Sequence, residues 1–479
     1  MSTEHDISVT AETATPRTHR IRPWATVAGV GMATGVAPAP LAMSTLGVFV
    51  VAITAETGWG RTTVTGGFTF AAVAMMIGFI VVARIADKIA VRWLVVPSFV
   101  MFLAGVAVLG IAPPSVPLWL AAWAWLGFFG AGTTVPMARA TLSWFDNKRG
   151  LAVGLTAAIG GIGSTVLPLV ASGFISTVGW RAGYLLLALV GLLVSMFGLL
   201  VLVRVRGERH RRGRILTETV ERGAQINLEL PGLTLRQALR GRHFWLILFG
   251  LNVSALAIVG IQIHLVPMMM DRGMGELEAA SLLSLLGLGG VVGRILGGVL
   301  LDRIHGTFVG AGVLLISALG ILILDEPYWL AGLAIFLFGF AVGVEGDLSY
   351  FFTARYLGMR ALGRFLGVFG VFNTLMAAFG PLALGIAYDL TGSYAGFIPT
   401  LIGSLVLAAV LVLLLGRYQY PAITGFDKLA VMDELAAAEV LSEEAVQEDL
   451  ERDVVRTARR GDAVPTPLGS ASSSDDGAS

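Results

Sequence analysis

Five ionisable residues lie within apolar stretches of about 20 residues, the length that crosses a bilayer as a helix. A charge near the centre of a bilayer is costly, so such residues usually bind a substrate, carry a proton or pair with one another. Only Arg139 is close enough to the end of its stretch to reach water by extending its side chain. The five residues are Arg139, His264, Arg294, Glu345 and Asp347.

Arg294 is the strongest candidate for binding a substrate. It precedes Asp302, at one end of its apolar stretch, by eight residues, which is about 12 Å along a helix and places it near the middle of a bilayer. A guanidinium group at that depth can bind a carboxylate through two parallel hydrogen bonds. The alternative is an arginine that an acid on a neighbouring helix holds for structural reasons.

Glu345 and Asp347 are candidates for carrying a proton. They are two residues apart, so they point to different faces of a helix. Either carboxyl could take up a proton on one side of the membrane and release it on the other, and either could instead form a gating ion pair with Arg303 or Arg355. His264 could hydrogen-bond a substrate as a neutral imidazole, or it could serve only in packing between helices.

The composition indicates that these residues belong to a membrane protein. Of the 479 residues, 56% are hydrophobic and 14% are charged, whereas soluble domains carry about 25% charged residues. The net charge of +1 provides no attraction to nucleic acid, and the absence of cysteine excludes disulfides and cysteine-based metal sites. Because the sequence has no P-loop, no Gly-x-Ser-x-Gly pattern and no cluster of metal ligands, we expect neither an enzyme nor a bound cofactor.

Twelve apolar stretches can position these residues as membrane-spanning helices, which predicts an all-α membrane protein. The long interruption between the sixth and seventh stretches is rich in arginine and is expected to be a cytoplasmic linker. We therefore predict an N-terminal tail (1–23), a six-helix half (24–203), a linker (204–242), a second six-helix half (243–416) and a polar tail (417–479). The stretches are 24–54, 62–83, 94–112, 116–140, 150–176, 182–203, 243–268, 277–300, 308–325, 328–353, 364–388 and 395–416.

The distribution of lysine and arginine predicts how the chain is inserted. If the N-terminus is cytoplasmic, the loops on the same side hold most of the basic residues, as the positive-inside rule requires. The polar N-terminus also lacks the features of a cleaved signal peptide. We therefore expect a multi-pass protein of the cell inner membrane with both termini in the cytoplasm. The basic loops are 84–93, 143–149, 204–242, 301–307 and 355–363.

Four short patterns occur in both halves, in the same order and at nearly the same offset along the chain. This repetition predicts two six-helix halves of parallel topology, related by an axis along the membrane normal. Such an architecture supports alternating access, in which the halves rock about a central site. The matching segments are 58–60 with 273–275, 83–88 with 298–303, 144–154 with 356–367, and 182–184 with 395–397.

On these segments the chain resembles the major facilitator superfamily. Residues 83–92 (ARIADKIAVR) resemble the superfamily's signature between helices two and three, with alanine in place of two glycines. Residues 144–154 (WFDNKRGLAVG) resemble the second signature of the bacterial monocarboxylate transporter and oxalate/formate antiporter branch. The resemblance implies a monomeric secondary transporter of a small organic anion, most simply a monocarboxylate, by symport with protons. The alternative that stays open is an efflux carrier for an amphipathic metabolite or drug.

The resemblance also implies roles for individual residues. Arg294 matches a substrate-binding arginine of helix eight, while helix eleven carries Asn373 where oxalate carriers have a lysine. With one cation near the midplane, a monoanion fits better than a dianion. Charged loop residues of the superfamily close the cytoplasmic ends of the two halves. In this chain the gating residues are Asp87, Lys88, Arg92, Asp302 and Arg303.

Two further expectations concern the surroundings of Arg294. Monocarboxylate transporters have an aspartate four residues before this arginine, where the present chain has Gly290. Glu345 or Asp347 would therefore have to take over the proton. Four aromatic residues are expected to form apolar walls around the substrate, and they are Phe351, Phe352, Phe369 and Phe372.

Overall fold

A computed structural model gives an almost entirely helical chain over residues 18–85, 89, 91–133, 137, 149–203, 232–324, 328–358 and 360–420, which are the residues that it describes. Helices are expected because a backbone surrounded by hydrocarbon has to satisfy its own hydrogen bonds. Within these residues an isolated β-bridge joins Gly232 to Gly358.

In the described part of the first half, the chain forms six helices. A π-helical turn (Ala39–Met43) connects the first two, so that together they make one apolar crossing, Trp24–Thr57. The helices are α1 (Thr18–Gly35), α2 (Ser44–Thr57), α3 (Arg61–Ile85), α4 (Val91–Ile111), α5 (Val116–Gly130) and α6 (Arg149–Met196).

The described residues from 232 onwards form eight helices, of which the first is a single turn held by a capping box between Thr234 and Gln237. The seventh apolar stretch is divided at Val253 into two helices. The helices are α7 (Leu235–Ala238), α8 (Arg242–Asn252), α9 (Ser254–Asp271), α10 (Glu276–Arg303), α11 (Gly306–Leu322), α12 (Tyr328–Phe352), α13 (Leu362–Thr391) and α14 (Ile398–Leu413).

Among the described residues, nine helices are long and apolar enough to cross a membrane, and α11 and α14 are shorter apolar helices. One of the nine, Gly154–Leu200, has 47 residues, or about 70 Å, more than twice the thickness of the hydrocarbon core. At Gly179 the backbone leaves the helical region, with φ 80° and ψ 165°. The fifth predicted stretch therefore ends there and the sixth begins. The total of twelve crossings stays a prediction.

Glycines bring α10 and α12 into close contact. A Cβ on Gly289 would collide with the backbone at Phe336, and a Cβ on Gly293 would collide with the backbone at Phe340. Small residues at this spacing allow two helix backbones to approach closely within a membrane. This packing fixes the position of Arg294, the residue that follows Gly293.

The helices run between two ends of the molecule, which we name for the argument below. The Arg61 face is the end at which α2 and α9 stop and α3 and α10 begin. The linker face is the opposite end, at which α6 and its π-helical continuation (Phe197–Leu202) stop and α8 begins.

Candidate functional site

The two halves of the chain meet along α3 and α13 near the Arg61 face. The backbone N–H groups of Arg61 and Thr62 donate to the two carboxylate oxygens of Asp389, each at 2.9 Å. Asp389 thus caps the N-terminus of a helix from the other half. Two turns further along α3, the Thr69 hydroxyl donates to the carbonyl oxygen of Ala378 at 2.9 Å.

A second line of contact between the halves runs along α6 and α10. A Cβ on Gly287 would lie 2.7 Å from the carbonyl oxygen of Ser164, and a Cβ on Gly161 would collide with the side chain of Val291. Further along the same face of α10, a Cβ on Gly298 would have no atom within 4 Å. The contact between α6 and α10 therefore ends between Val291 and Gly298 in the described part of the chain.

The contact between α3 and α13 ends in the same direction. The face of α13 that carries Ala378 and Asp389 continues towards the linker face as Gly363, Gly367 and Gly370. A Cβ on any of these three glycines would have no atom within 4 Å. Over the residues that the structure covers, the halves therefore touch near the Arg61 face and separate towards the linker face, which leaves a cleft between them.

Arg294 lies on the wall of this cleft. It follows Val291 by three residues and shares the helix face of Gly287, so it faces the first half at the level where the halves have separated. The residue is exposed, and its Nη2 lies 4.0 Å from where a Cβ on Gly346 would be. No side chain in the described ranges forms a hydrogen bond or an ion pair with this guanidinium group. An anion that enters the cleft would therefore meet an unpaired cation.

Glu345 interacts with a residue of α9 and not with Arg294. Its Oε1 is in hydrogen-bonding contact with the hydroxyl of Ser254, the first residue of α9 after the break at Val253. The Ser254 hydroxyl is also 2.6 Å from the carbonyl oxygen of Leu251. Both candidates for proton transfer lie on α12, but the side chain of Asp347 is outside the part of the chain that the structure describes.

An ion pair closes the cleft at the Arg61 face. The guanidinium group of Arg61, from the first half, donates to both carboxylate oxygens of Asp271, from the second half, at 2.6 Å each. It also donates to the hydroxyl of Tyr394 at 2.5 Å, and its Cζ lies 3.7 Å from the ring centroid of Tyr388. We call Arg61, Asp271, Asp389 and Tyr394 together the Arg61 latch.

His264 supports this latch from within α9. It is fully buried, with Nδ1 2.9 Å from the Tyr394 hydroxyl and Nε2 2.9 Å from the carbonyl oxygen of Pro381. A carbonyl only accepts, so Nε2 carries the hydrogen and Nδ1 accepts from Tyr394. Burial raises the pKa of the Tyr394 hydroxyl, which keeps that proton in place. Both ring nitrogens of His264 are thus occupied by protein, and its binding to a substrate stays a prediction.

The remaining predicted residues are not brought together by the described part of the structure. Asn373 is half-buried on α13, and its role in substrate binding stays a prediction. Arg92, Asp302 and Arg303 are exposed at the linker face. Their role in gating is equally untested, and two further gating candidates lie outside the described residues. These two are Asp87 and Lys88.

The expectation that four aromatic residues line the cavity is wrong for Phe352 and Phe369. Both are buried, with 0% and 2% of their surface exposed. Phe369 packs against Phe244 of α8 with ring centroids 5.3 Å apart, and Phe352 packs against Tyr356 at 5.9 Å. These rings fill the space between helices of the second half, because aromatic side chains bury more apolar area there than on a cleft wall.

The Arg61 latch was missed by the reasoning from sequence. Its arginine belongs to a group of three basic residues on the side of the protein that is otherwise poor in them, together with Arg181 and Arg272. The scarcity of basic residues on that side draws attention to Arg61, but it does not identify Asp271 as the partner of Arg61. Arg181, for example, pairs with Glu56 of its own half, with Nε 3.0 Å from Oε1.

The profile of the Major Facilitator Superfamily matches residues 32–381 of the chain. Human monocarboxylate transporter 11 is 26% identical over 299 residues, which cover 59% of this chain and 60% of the human protein. An MFS-type transporter of Gibberella moniliformis is 25% identical over 330 residues, covering 67% of this chain and 75% of that protein. The riboflavin transporter RibJ of Trypanosoma brucei brucei is 43% identical over a short segment of 54 residues, covering 11% of this chain and 10% of that protein.

The alignment thus spans only about 60% of the human relative's length. The family profile covers more than half of the chain, including α3 with Arg61 and α10 with Arg294, and the described helices are consistent with the family's fold. The chain therefore belongs to the Major Facilitator Superfamily, whose members are multi-pass membrane transporters.

Proposed function

We propose that this protein is a secondary active transporter that carries a small organic monocarboxylate across the cell membrane by alternating access, coupled to protons. Arg294 carries this proposal, because it is an exposed guanidinium group on the cleft wall with no ion pair in the described structure. A guanidinium group that no protein acid occupies is free to bind a carboxylate through paired hydrogen bonds, and an anionic substrate supplies that partner. One such cation suits one carboxylate.

The relatives support the same substrate class. The name of the human relative describes a monocarboxylate transporter, while the riboflavin-transporter match covers only 11% of this chain. At 26% identity the name alone does not transfer. The proposal therefore rests on the unpaired arginine, and the relative makes a carboxylate the first class of compound to test.

The contacts of Ser254 support a proton on Glu345. A serine hydroxyl has one hydrogen to donate, yet Oγ of Ser254 is in contact with two acceptors, the carbonyl of Leu251 and the carboxyl of Glu345. Both contacts are satisfied if Ser254 donates to Leu251 and a protonated Glu345 donates to Ser254. We therefore assign the coupled proton to Glu345 in preference to Asp347.

The arrangement of the halves supports alternating access. The cleft is closed by the Arg61 latch and open towards the linker face, which is one of the two end states that such a mechanism requires. With the linker face in the cytoplasm, as the basic loops predict, this state faces inward and would release a substrate into the cell during uptake.

The proposal is tested by uptake into proteoliposomes. Labelled monocarboxylates, a dicarboxylate and neutral amides are offered with and without an inward proton gradient. We expect the protein to accumulate a monocarboxylate, to do so faster with the gradient, and to lose this activity in Arg294→Ala. Arg236→Ala, which removes an exposed arginine of α7, is the matched control and should transport normally. Uptake of the amide at the rate of its acid would contradict the proposal, and export of amphipathic compounds by Arg294→Ala would favour an efflux carrier.

A further inference from the structure

A groove of about 480 Å³ lies between α8 and α14 at the linker face. It is separate from the cleft, and it is formed by two apolar helices of the second half. One cationic side chain and five apolar ones line it. These are Arg242, Trp245, Leu246, Phe249, Leu411 and Leu414.

The groove narrows towards the middle of the membrane. At Gly250 the two helices are in close contact, since a Cβ there would lie 3.2 Å from Cβ of Leu411. The lining residues of α8 all precede Gly250, so the groove occupies the linker-face side of this contact. From Arg242 to Phe249 the groove is about 10 Å long, which is the length of a substantial part of one acyl chain.

The mouth of the groove is cationic and its inner wall is apolar. Arg242 is exposed and forms no ion pair within the described residues. Arg240, two residues before α8, and Arg417, four residues after α14, are also exposed and without an ion pair in those residues. Arg242 therefore makes the mouth of the groove cationic, and no carboxylate in the described ranges pairs with it.

Trp245 gives the groove the character of a membrane interface. Its ring is 44% exposed, and its indole N–H donates to the carbonyl oxygen of Leu239 at 3.0 Å. The polar atom of the ring is thus satisfied at the level of the head groups, and the ring itself remains as apolar wall. Tryptophan is enriched at this depth for that reason.

We propose that this groove binds an anionic phospholipid, with its phosphate on Arg242 and one acyl chain along Trp245, Phe249 and Leu411. Arginine donates to phosphate through paired N–H groups, and basic pockets between membrane helices on the cytoplasmic side select anionic head groups. A zwitterionic lipid would fill the same groove but has no net negative charge to compensate that of Arg242.

Native mass spectrometry of the full-length protein tests this proposal. The protein is purified in detergent with equal amounts of phosphatidylglycerol and phosphatidylcholine of identical acyl chains. We expect wild type to retain phosphatidylglycerol preferentially, and Arg242→Gln to lower that retention about tenfold, which corresponds to the loss of one charge-assisted contact. Leu411→Trp fills the groove and should lower the retention of both lipids.

Two controls separate this site from general attraction to charge. Arg84→Gln removes an exposed arginine near the end of α3, in the other half of the chain, and should leave lipid retention unchanged. Excess glycerol phosphate, the free head group, should not displace the lipid, because it lacks the acyl chain. Equal retention of the two lipids by wild type, unchanged retention in Arg242→Gln, displacement by glycerol phosphate, or a protein dimer that Leu411→Trp abolishes would each overturn the proposal.

Discussion

At the scale of single residues, Arg61 and Arg294 carry the same charge in opposite circumstances. The side chain of Arg61 is 9% exposed and is held by Asp271 and Tyr394, whereas Arg294 is exposed and no described residue pairs with it. A paired arginine fixes structure, and an unpaired one in a cleft can bind a ligand. This difference is the reason why we propose that Arg61 closes the cleft and that Arg294 binds the substrate.

Substitution of Glu345 separates proton coupling from substrate binding. Glu345→Gln keeps a hydrogen-bond donor for Ser254 but cannot release a proton, so uptake driven by a proton gradient should be lost. Exchange of labelled for unlabelled substrate should persist, because exchange requires no net movement of protons. Glu278→Gln, an exposed acid on α10, is the control and should retain both activities. Loss of exchange together with uptake in a correctly inserted Glu345→Gln would assign the residue to structure.

At the scale of helices, the Arg61 latch determines how firmly α3 is held to α9 and α13. Removing one partner of a partly buried pair costs about 1–2 kcal/mol, or about five- to thirtyfold in the population of the open state. In Arg61→Gln, a cysteine replacing the buried Thr65 should therefore react with a thiol reagent about five- to thirtyfold faster than in the protein with an intact latch. The chain has no native cysteine, so all labelling by the thiol reagent comes from the cysteine introduced at position 65.

The matched control for the latch is Arg181→Gln. Arg181 bonds to Glu56 and to the carbonyl oxygen of Ala112, all within the first half. Its loss should leave the cysteine at position 65 protected. Equal labelling in the two arginine variants would mean that the Arg61 pair contributes nothing specific to closure.

Helix packing behind Arg294 can be tested by adding single methyl groups. Gly293→Ala would force a Cβ into the backbone of α12 at Phe340, so we expect a loss of about 1–3 kcal/mol in stability, the usual result of overpacking. Gly298→Ala places the same group on the same helix with no atom within 4 Å, and its effect should be neutral or slightly stabilising. Thermal unfolding of the purified variants measures both, and equal melting temperatures would contradict the close approach of α10 and α12.

At the scale of the whole molecule, insertion into the membrane is predicted by the basic loops and is open to direct measurement. A single cysteine replacing Glu208 or Ser442 should be protected from an impermeant thiol reagent in intact cells, because both positions are expected in the cytoplasm. Cysteines replacing Thr57 or Gly275, on the Arg61 face, should be labelled. Labelling of position 208 from outside would reverse the orientation, and the state in the structure would then face outward.

The helical class could be predicted from the sequence, and Arg294 could be selected as a candidate, because each leaves a local signal. An apolar stretch of about 20 residues is visible without any partner, and an arginine inside such a stretch is conspicuous because it is costly. The spacing of Gly289 and Gly293 is a local signal of the same kind, since small residues four apart favour close helix contacts, and the structure shows such a contact. The binding of a substrate by Arg294 stays a prediction.

The contacts between the halves could not be predicted in the same way. Arg61 is separated from Asp271 by 210 residues and from Asp389 by 328, and charges at helix ends are too common to stand out. The break in the seventh stretch at Val253 is marked by neither proline nor glycine. Which aromatic rings face the cleft also depends on how the helices pack, which explains the error at Phe352 and Phe369.

The central claim, that Arg294 recognises a carboxylate, is tested most directly by ligand-induced thermal stabilisation of the purified protein. Wild type, Arg294→Lys and Arg294→Ala are compared against monocarboxylates and the neutral amides of the same acids, with Arg236→Ala as control. We predict that an acid raises the melting temperature of wild type and of the control and that its amide does not. Arg294→Lys, which keeps the charge but loses the paired geometry, should respond weakly, and Arg294→Ala should not respond. Equal stabilisation by an acid and its amide, or an undiminished response in Arg294→Ala, would contradict the claim.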